Sequence, residues 1–321
     1  MRVLVTGGAG YIGSAATAIL LECGFNVTVL DDCSTGHADA VVGGAKFING
    51  SVLDSQVVAQ ALVDCDAVLH FAAKSLVGES VEKPDLYFDV NVNGTRNLLD
   101  QMSKAKISKI VFSSTAATYG EPEVIPITEE ANTKPTSPYG TTKLAVDKMI
   151  TEEAKSGLAA ISLRYFNVAG AYKSKTGWLA ERHNPETHLI PNLLRSTVHR
   201  PLKIFGNDWP TKDGTCIRDY IHVVDLIDAH ILALESLVSG QHKIVNLGSG
   251  GGYSVTEVIS AASKVVGRDI PVEIADRRAG DPAVLIADIS LAAEVLKWTP
   301  KRDIENMVRD TWESQSASTS H

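Results

Sequence analysis

Thr6-Gly7-Gly8-Ala9-Gly10-Tyr11-Ile12-Gly13 is the stretch that decides the fold. It lies between a β-branched run, Val3–Thr6, and a segment of helical periodicity, Ile12–Leu21. Gly7, Gly10 and Gly13 fall three apart, and Gly8, Gly10 and Gly13 also satisfy GxGxxG spacing. Glycine permits the tight turn and lets backbone N–H groups approach a pyrophosphate, at which the next helix aims its positive end. Ordinary tight turns also use such triplets, but the strand–loop–helix context favours a dinucleotide.

Working outward, Asp31 closes the next strand, 18 residues after Gly13. A carboxylate there accepts hydrogen bonds from the adenosine ribose and repels the extra phosphate of NADP. Asp32 follows and no Arg adjoins, so NAD is the expected cofactor; a helix or turn cap is the other use of such an Asp. Further strands are expected at Val27–Asp31, Phe47–Asn49, Ala67–Phe71, Lys109–Ser114 and Ala160–Asn167. Helical stretches alternate with them at Gln56–Val63, Leu86–Lys104 and Pro138–Lys155. This alternation predicts an α/β fold, a Rossmann-type doubly wound parallel sheet with ligand at the strand C-termini.

After Asn167 the pattern changes. Gly170 to Pro191 has little periodicity and reads as loops around the ligand. Then come helices at Ile190–Val198, Val223–Leu237, Ser254–Val266, Ser290–Lys297 and Ile304–Trp312, with strands at Lys203–Phe205, Ile244–Leu247 and Val272–Ala275. These predict a smaller α/β second domain, 167–321, over a dinucleotide domain, 1–166, with a segment near 216–247 returning to the first. Ser314 to His321, small and polar, reads as a disordered end.

The 321 residues carry a net charge of −8, which argues against a nucleic-acid partner but not against a small anion held by local arginines. Four cysteines without a CxxC pair fit a reducing compartment, and the nine histidines show no familiar metal-ligand spacing. With no signal peptide and no apolar stretch of ~18 residues, a soluble cytoplasmic protein that binds no metal is expected.

Ser137-Pro138-Tyr139-Gly140-Thr141-Thr142-Lys143 is the second chemical signal. Ser137 suits an N-cap and Pro138 the first helical position, which places Tyr139 and Lys143 on one helix face. A free tyrosine has a pKa near ~10, so a base role calls for the nearby ammonium, a nicotinamide cation and the helix N-terminus to favour the phenolate. An amphipathic surface pair is the plainer alternative. Thr115, in Ser113-Ser114-Thr115-Ala116-Ala117, ends a predicted strand and offers a hydroxyl there, although such residues also serve simply in turns.

Gly7xxGly10xxGly13, Thr115 and Tyr139xxxLys143 together resemble the extended short-chain dehydrogenase/reductase superfamily, and within it the UDP-glucose 4-epimerases. Matches run along almost the whole chain, among them His70-Phe71-Ala72-Ala73, Asn91-Val92-Asn93-Gly94-Thr95, Arg164-Tyr165-Phe166-Asn167, Arg218-Asp219-Tyr220-Ile221-His222-Val223 and Arg277-Arg278-Ala279-Gly280-Asp281. The run from Asp208 to Val223 is the most specific.

The resemblance implies that NAD lies along Tyr11, Ile12, Asp31, Asp32, Cys33, Ser34, Thr35 and Gly36. It continues past Ser51 and Val52 to Phe71, Ala72, Ala73, Lys74 and Ser75, then Asn91 and Lys143, with Phe166 beside the nicotinamide. Tyr139 is the implied base and Thr115 its partner, both also touching substrate. A UDP-hexose would be held by Asn167, His188, Leu189, Lys203, Ile204, Phe205, Arg218, Tyr220, Arg278 and Asp281. Arginine forks suit a diphosphate, although Arg218 could instead pair with Asp219. Leu285 stands at a gate thought to admit or refuse N-acetylated sugars, and Ser51 replaces an Asp that many members place near the adenine.

The implied reaction interconverts UDP-galactose and UDP-glucose through a transient 4-keto sugar with NAD kept bound, in a homodimer packed through the Leu86–Lys104 and Pro138–Lys155 helices. Other UDP-sugars, N-acetylated or pentose, stay open as substrates. A nucleotide-sugar dehydratase or decarboxylase would want carboxylates where Ala116 and Ala117 stand. A non-catalytic NAD-binding sensor would be free to lose Tyr139 or Lys143, and both are present.

Overall fold

Val3, Leu4 and Val5 are all fully buried because their strand lies deep in a parallel sheet covered on both faces. The computed structural model describes residues 1–278 and 281–318. Its central sheet has seven strands: β1 (Arg2–Thr6), β2 (Asn26–Asp31), β3 (Lys46–Asn49), β4 (Ala67–His70), β5 (Lys109–Thr115), β6 (Ala159–Tyr165) and β7 (His242–Leu247). Their spatial order is β7-β6-β5-β4-β1-β2-β3, with every neighbouring pair parallel. Order therefore reverses between β1 and β4, and a crevice opens at the carboxyl ends of those strands.

Alternation along the strands sorts two cores. Val3, Val5, Leu69, Val111 and Ile161 face a core shared with helix Val223–Glu235, while Leu4, Val68, Ile110 and Phe112 face one shared with Gly94–Lys104 and Pro138–Ala154. A third core, including Leu193, Leu202, Tyr220, Val258 and Met307, lies in the second half of the chain. No helix among the described residues is long and apolar enough to cross a membrane.

Four sequence expectations shift. The strand expected over Ala160–Asn167 ends at Tyr165; Asn167–Ala169 pairs instead with Tyr220–His222, because the backbone and side-chain amides of Asn167 both donate to the Asp219 carbonyl, at 3.2 and 2.8 Å. The helix expected at Leu86–Lys104 is interrupted by a π turn at Asp89–Asn93. Within Gly170–Pro191, strands Ala171–Ser174 and Gly177–Ala180 form an antiparallel hairpin. The tail does not fray at Ser314: helix Ile304–Ser318 continues through it, anchored by buried Met307 and Val308, and residues 319–321 lie outside the described residues.

Candidate active site

The glycine loop is tight for steric reasons. Gly7 has φ +73°, and a Cβ there would sit 2.7 Å from the Ala72 amide nitrogen; one on Gly13 would sit 2.1 Å from the Gly7 carbonyl oxygen. The bare backbone forms the cradle a pyrophosphate needs at the start of helix Tyr11–Glu22. Beside it, Asp31 accepts from the amides of Ala9 (2.9 Å) and Cys33 (2.7 Å), which fixes its carboxylate at the end of β2. Lys74 reaches across to the Ser34 hydroxyl at 3.1 Å. These groups line one cleft of about 670 Å³.

Eighteen of the expected cofactor contacts line this cleft; the other five, Cys33, Ser51, Asn91, Thr115 and Phe166, do not. Asn91 is buried behind the wall, accepting from the Lys74 amide (2.8 Å) and donating to its carbonyl (3.0 Å), so it braces the chain that does touch the cleft. Ser51 accepts from the Leu53 amide at 3.3 Å. The donor set and the cradle fit a dinucleotide carrying free ribose hydroxyls.

Tyr139 and Lys143 both reach this cleft from helix Pro138–Ala154, which Ser137 caps by accepting from the Gly140 amide at 3.1 Å. Their acidities depart from expectation. Desolvation pushes the Tyr139 phenol up to about 12, opposed by a hydrogen bond with Thr115. Desolvation likewise pulls Lys143 down to about 8, opposed by Asp147. Lys143 Nζ donates to the Ser113 carbonyl at 2.8 Å and stands 6.0 Å from the Tyr139 ring centre. Beneath Lys143, Asp147 is locked in a buried pair with Arg164 at 2.8 Å.

The expected substrate residues gather elsewhere. Arg278 stacks on the Phe205 ring at 3.7 Å, and Arg218 lies 3.8 Å from Asp281 and opposite Leu285 in strand register. Arg218 does not pair with Asp219, whose buried carboxylate instead accepts from Tyr220, Ser249, Gly250 and Ala287 amides. Lys203 is exposed, whereas Ile204 and Tyr220 are buried, Tyr220 within the third core. Ala279 and Gly280 of the arginine motif lie outside the described residues.

Sequence reasoning missed several walls of the cleft. Tyr165, bonded to the Ser113 hydroxyl, sits on its floor, while Trp178 to His183 and, from the last helix, Ser314 and Gln315 line it from the other half of the chain. No local periodicity marks those positions. Nor did histidine spacing flag Glu181, His183, Glu186 and His188, which the structure gathers because they lie on an irregular turn rather than on one helix face.

Residues 3–248 match the NAD dependent epimerase/dehydratase family. The chain belongs to that family. A UDP-glucose 4-epimerase of Corynebacterium glutamicum is 54% identical over 99% of this chain and 96% of its own length. One from Streptomyces lividans is 49% identical over 98% of this chain and 96% of its own. The crystal structure of UDP-glucose 4-epimerase from Bifidobacterium longum in complex with NAD+ and UDP superposes with a TM-score of 0.92 at 36% identity, covering 99% of both chains. As a member of the epimerase/dehydratase family, the protein uses NAD.

Proposed function

We propose that this chain is a UDP-glucose 4-epimerase, converting UDP-galactose and UDP-glucose into each other without net redox change. The observation that carries the reading is Tyr139, facing the Thr115 hydroxyl and sharing one cleft with Lys143, where the two residues after Thr115 are alanines. A dehydratase would need carboxylates at those alanines to expel water. Full-length relatives that carry the epimerase name support the same reading.

When bound, NAD supplies a hydride acceptor and donor and a cationic ring that favours a nearby phenolate. Tyr139 takes the proton from the sugar 4-hydroxyl, and Thr115 bridges the two oxygens. Lys143, fixed on the Ser113 carbonyl, would hold the nicotinamide ribose. The keto sugar then turns about its diphosphate link and presents its other face to the hydride, and Tyr139 returns the proton to the C4 oxygen. Arg218 and Arg278 grip the diphosphate, leaving the sugar loose enough to turn. Leu285, the register partner of Arg218, is the proposed gate that sets the room for the sugar ring.

Purified protein mixed with UDP-galactose should form UDP-glucose without added NAD. Tyr139→Phe should slow that conversion about 10²–10⁴-fold while keeping the bound dinucleotide; full activity in the variant overturns the assignment. A cytoplasmic location is part of the proposal, and so is a homodimer. Val77, Val81, Leu86 and Phe88 are exposed on two short helices that pack against Pro138–Ala154, a face suited to a second copy.

A further inference from the structure

The turn from Glu181 to His188, between strand Gly177–Ala180 and helix Leu189–Leu194, holds a four-residue cluster of which the epimerase reading uses only His188, as a contact of the UDP-sugar. Glu181, His183, Glu186 and His188 each present a donor atom, and these atoms lie within 4.8 Å of one another. Glu181 Oε1 is 2.6 Å from His188 Nδ1 and 2.8 Å from His183 Nδ1, and Glu186 Oε1 is 3.1 Å from His188 Nδ1. The two carboxylate side chains are only 6% and 4% exposed. Glu186 Oε2, fully buried, has no hydrogen-bond partner.

Two carboxylates withdrawn from water need compensating charge. The two imidazoles supply part of it when protonated, and the guanidinium on this turn adds none, because Arg182 points out to Asp39, with two contacts of 2.9 Å. Hydrogen bonds among the four side chains leave the second Glu186 oxygen unsatisfied, whereas a cation between them would use both carboxylates and both rings. Two imidazoles and two carboxylates are the ligand types that borderline divalent transition metals prefer, and four protein ligands close a tetrahedral shell.

We propose that Glu181, His183, Glu186 and His188 bind a divalent transition-metal ion, zinc by ligand type, as a structural centre. Glu181 and His183 line the cofactor cleft, and His188 sits at the N-cap of helix Leu189–Leu194. The ion would therefore fasten the cleft wall to the turn leading to Leu189. The metal site stands on its own geometry; its link to substrate binding rests on the epimerase reading.

Holoenzyme stripped with EDTA and titrated with zinc against a chromophoric chelator should take up a single ion per chain, and zinc should raise its melting temperature. Cobalt(II) in its place should give the intense visible bands of a four-coordinate centre. Glu186→Gln, which keeps the side chain's shape, and His183→Ala should each weaken zinc binding by more than ~10-fold and abolish the cobalt bands. Substoichiometric uptake, or wild-type zinc affinity in both variants, overturns the proposal. These readouts do not depend on epimerase activity, so their failure is distinct from failure of the proposed reaction.

Discussion

Tyr139 and Lys143 show how far burial outweighs sequence neighbourhood at the scale of single residues. Four positions apart on one helix, they are each shifted first by desolvation, in the direction that opposes charge. The same force acts on His230, which donates through Nδ1–H to the Leu226 carbonyl (2.8 Å) and packs on Phe71. Burial lowers its pKa from 6.5 to about 4, against a smaller opposing effect of that bond. The sign follows: above 6.5 the ring is neutral in both folded and unfolded chains, and as pH falls from 6.5 toward 4 only the unfolded chain gains the proton. Stability should therefore drop across that window, and buried His70, lowered to about 3 by burial and Lys143, adds to the loss. Urea unfolding at neutral and mildly acidic pH should show a smaller acid loss for His230→Gln than for wild type; parallel losses would remove His230 as a cause.

At the scale of elements, the glycine loop leaves its helix no room. An alanine at position 13 would press its methyl into the Gly7 carbonyl, which cannot yield without moving β1's end. Gly13→Ala should cost about 1–3 kcal/mol of stability and release most of the bound dinucleotide, read by thermal melting and by absorbance of the denatured supernatant. This loop, β1 to β6 and the Ser137-capped helix were legible in the sequence because each is specified locally, by apolar runs, spacing and caps. Asn91, which the resemblance set against the cofactor, stands behind the cleft wall as a brace, and that role was not legible, since its partner Lys74 comes from another segment. The Arg218–Asp281 pair depends on a contact distant in sequence, and the Ala171–Ala180 hairpin and the turn holding His183 and His188 are too short and irregular for periodicity to mark. The tail misled for the opposite reason. Its serines are poor helix formers, but they extend a helix already fixed by tertiary burial, and Ser314 bonds back to the Thr311 carbonyl at 2.7 Å.

On the scale of the whole molecule, the exposed apolar side chains of Val81 (65%) and Phe88 (52%) are costly for a lone chain and give the homodimer proposal its physical motive. Sedimentation should report a species twice the 34.3 kDa chain mass, and Phe88→Asp should shift it toward the monomer. A monomeric wild type at micromolar concentration would sink that proposal. The cleft also joins distant parts of the chain: its floor comes from residues before 166, and Ser314 and Gln315 lie within eight residues of the end. Deleting residues 314–321 should keep the fold, since Met307 and Val308 stay buried, but weaken dinucleotide retention, measurable as faster loss on dialysis. The order of synthesis gives this arrangement a further meaning. A chain emerging from the ribosome completes the phosphate cradle long before the wall that carries Ser314 and Gln315, so a product terminated between the two should exchange its pyridine nucleotide freely, and one that includes both should trap it.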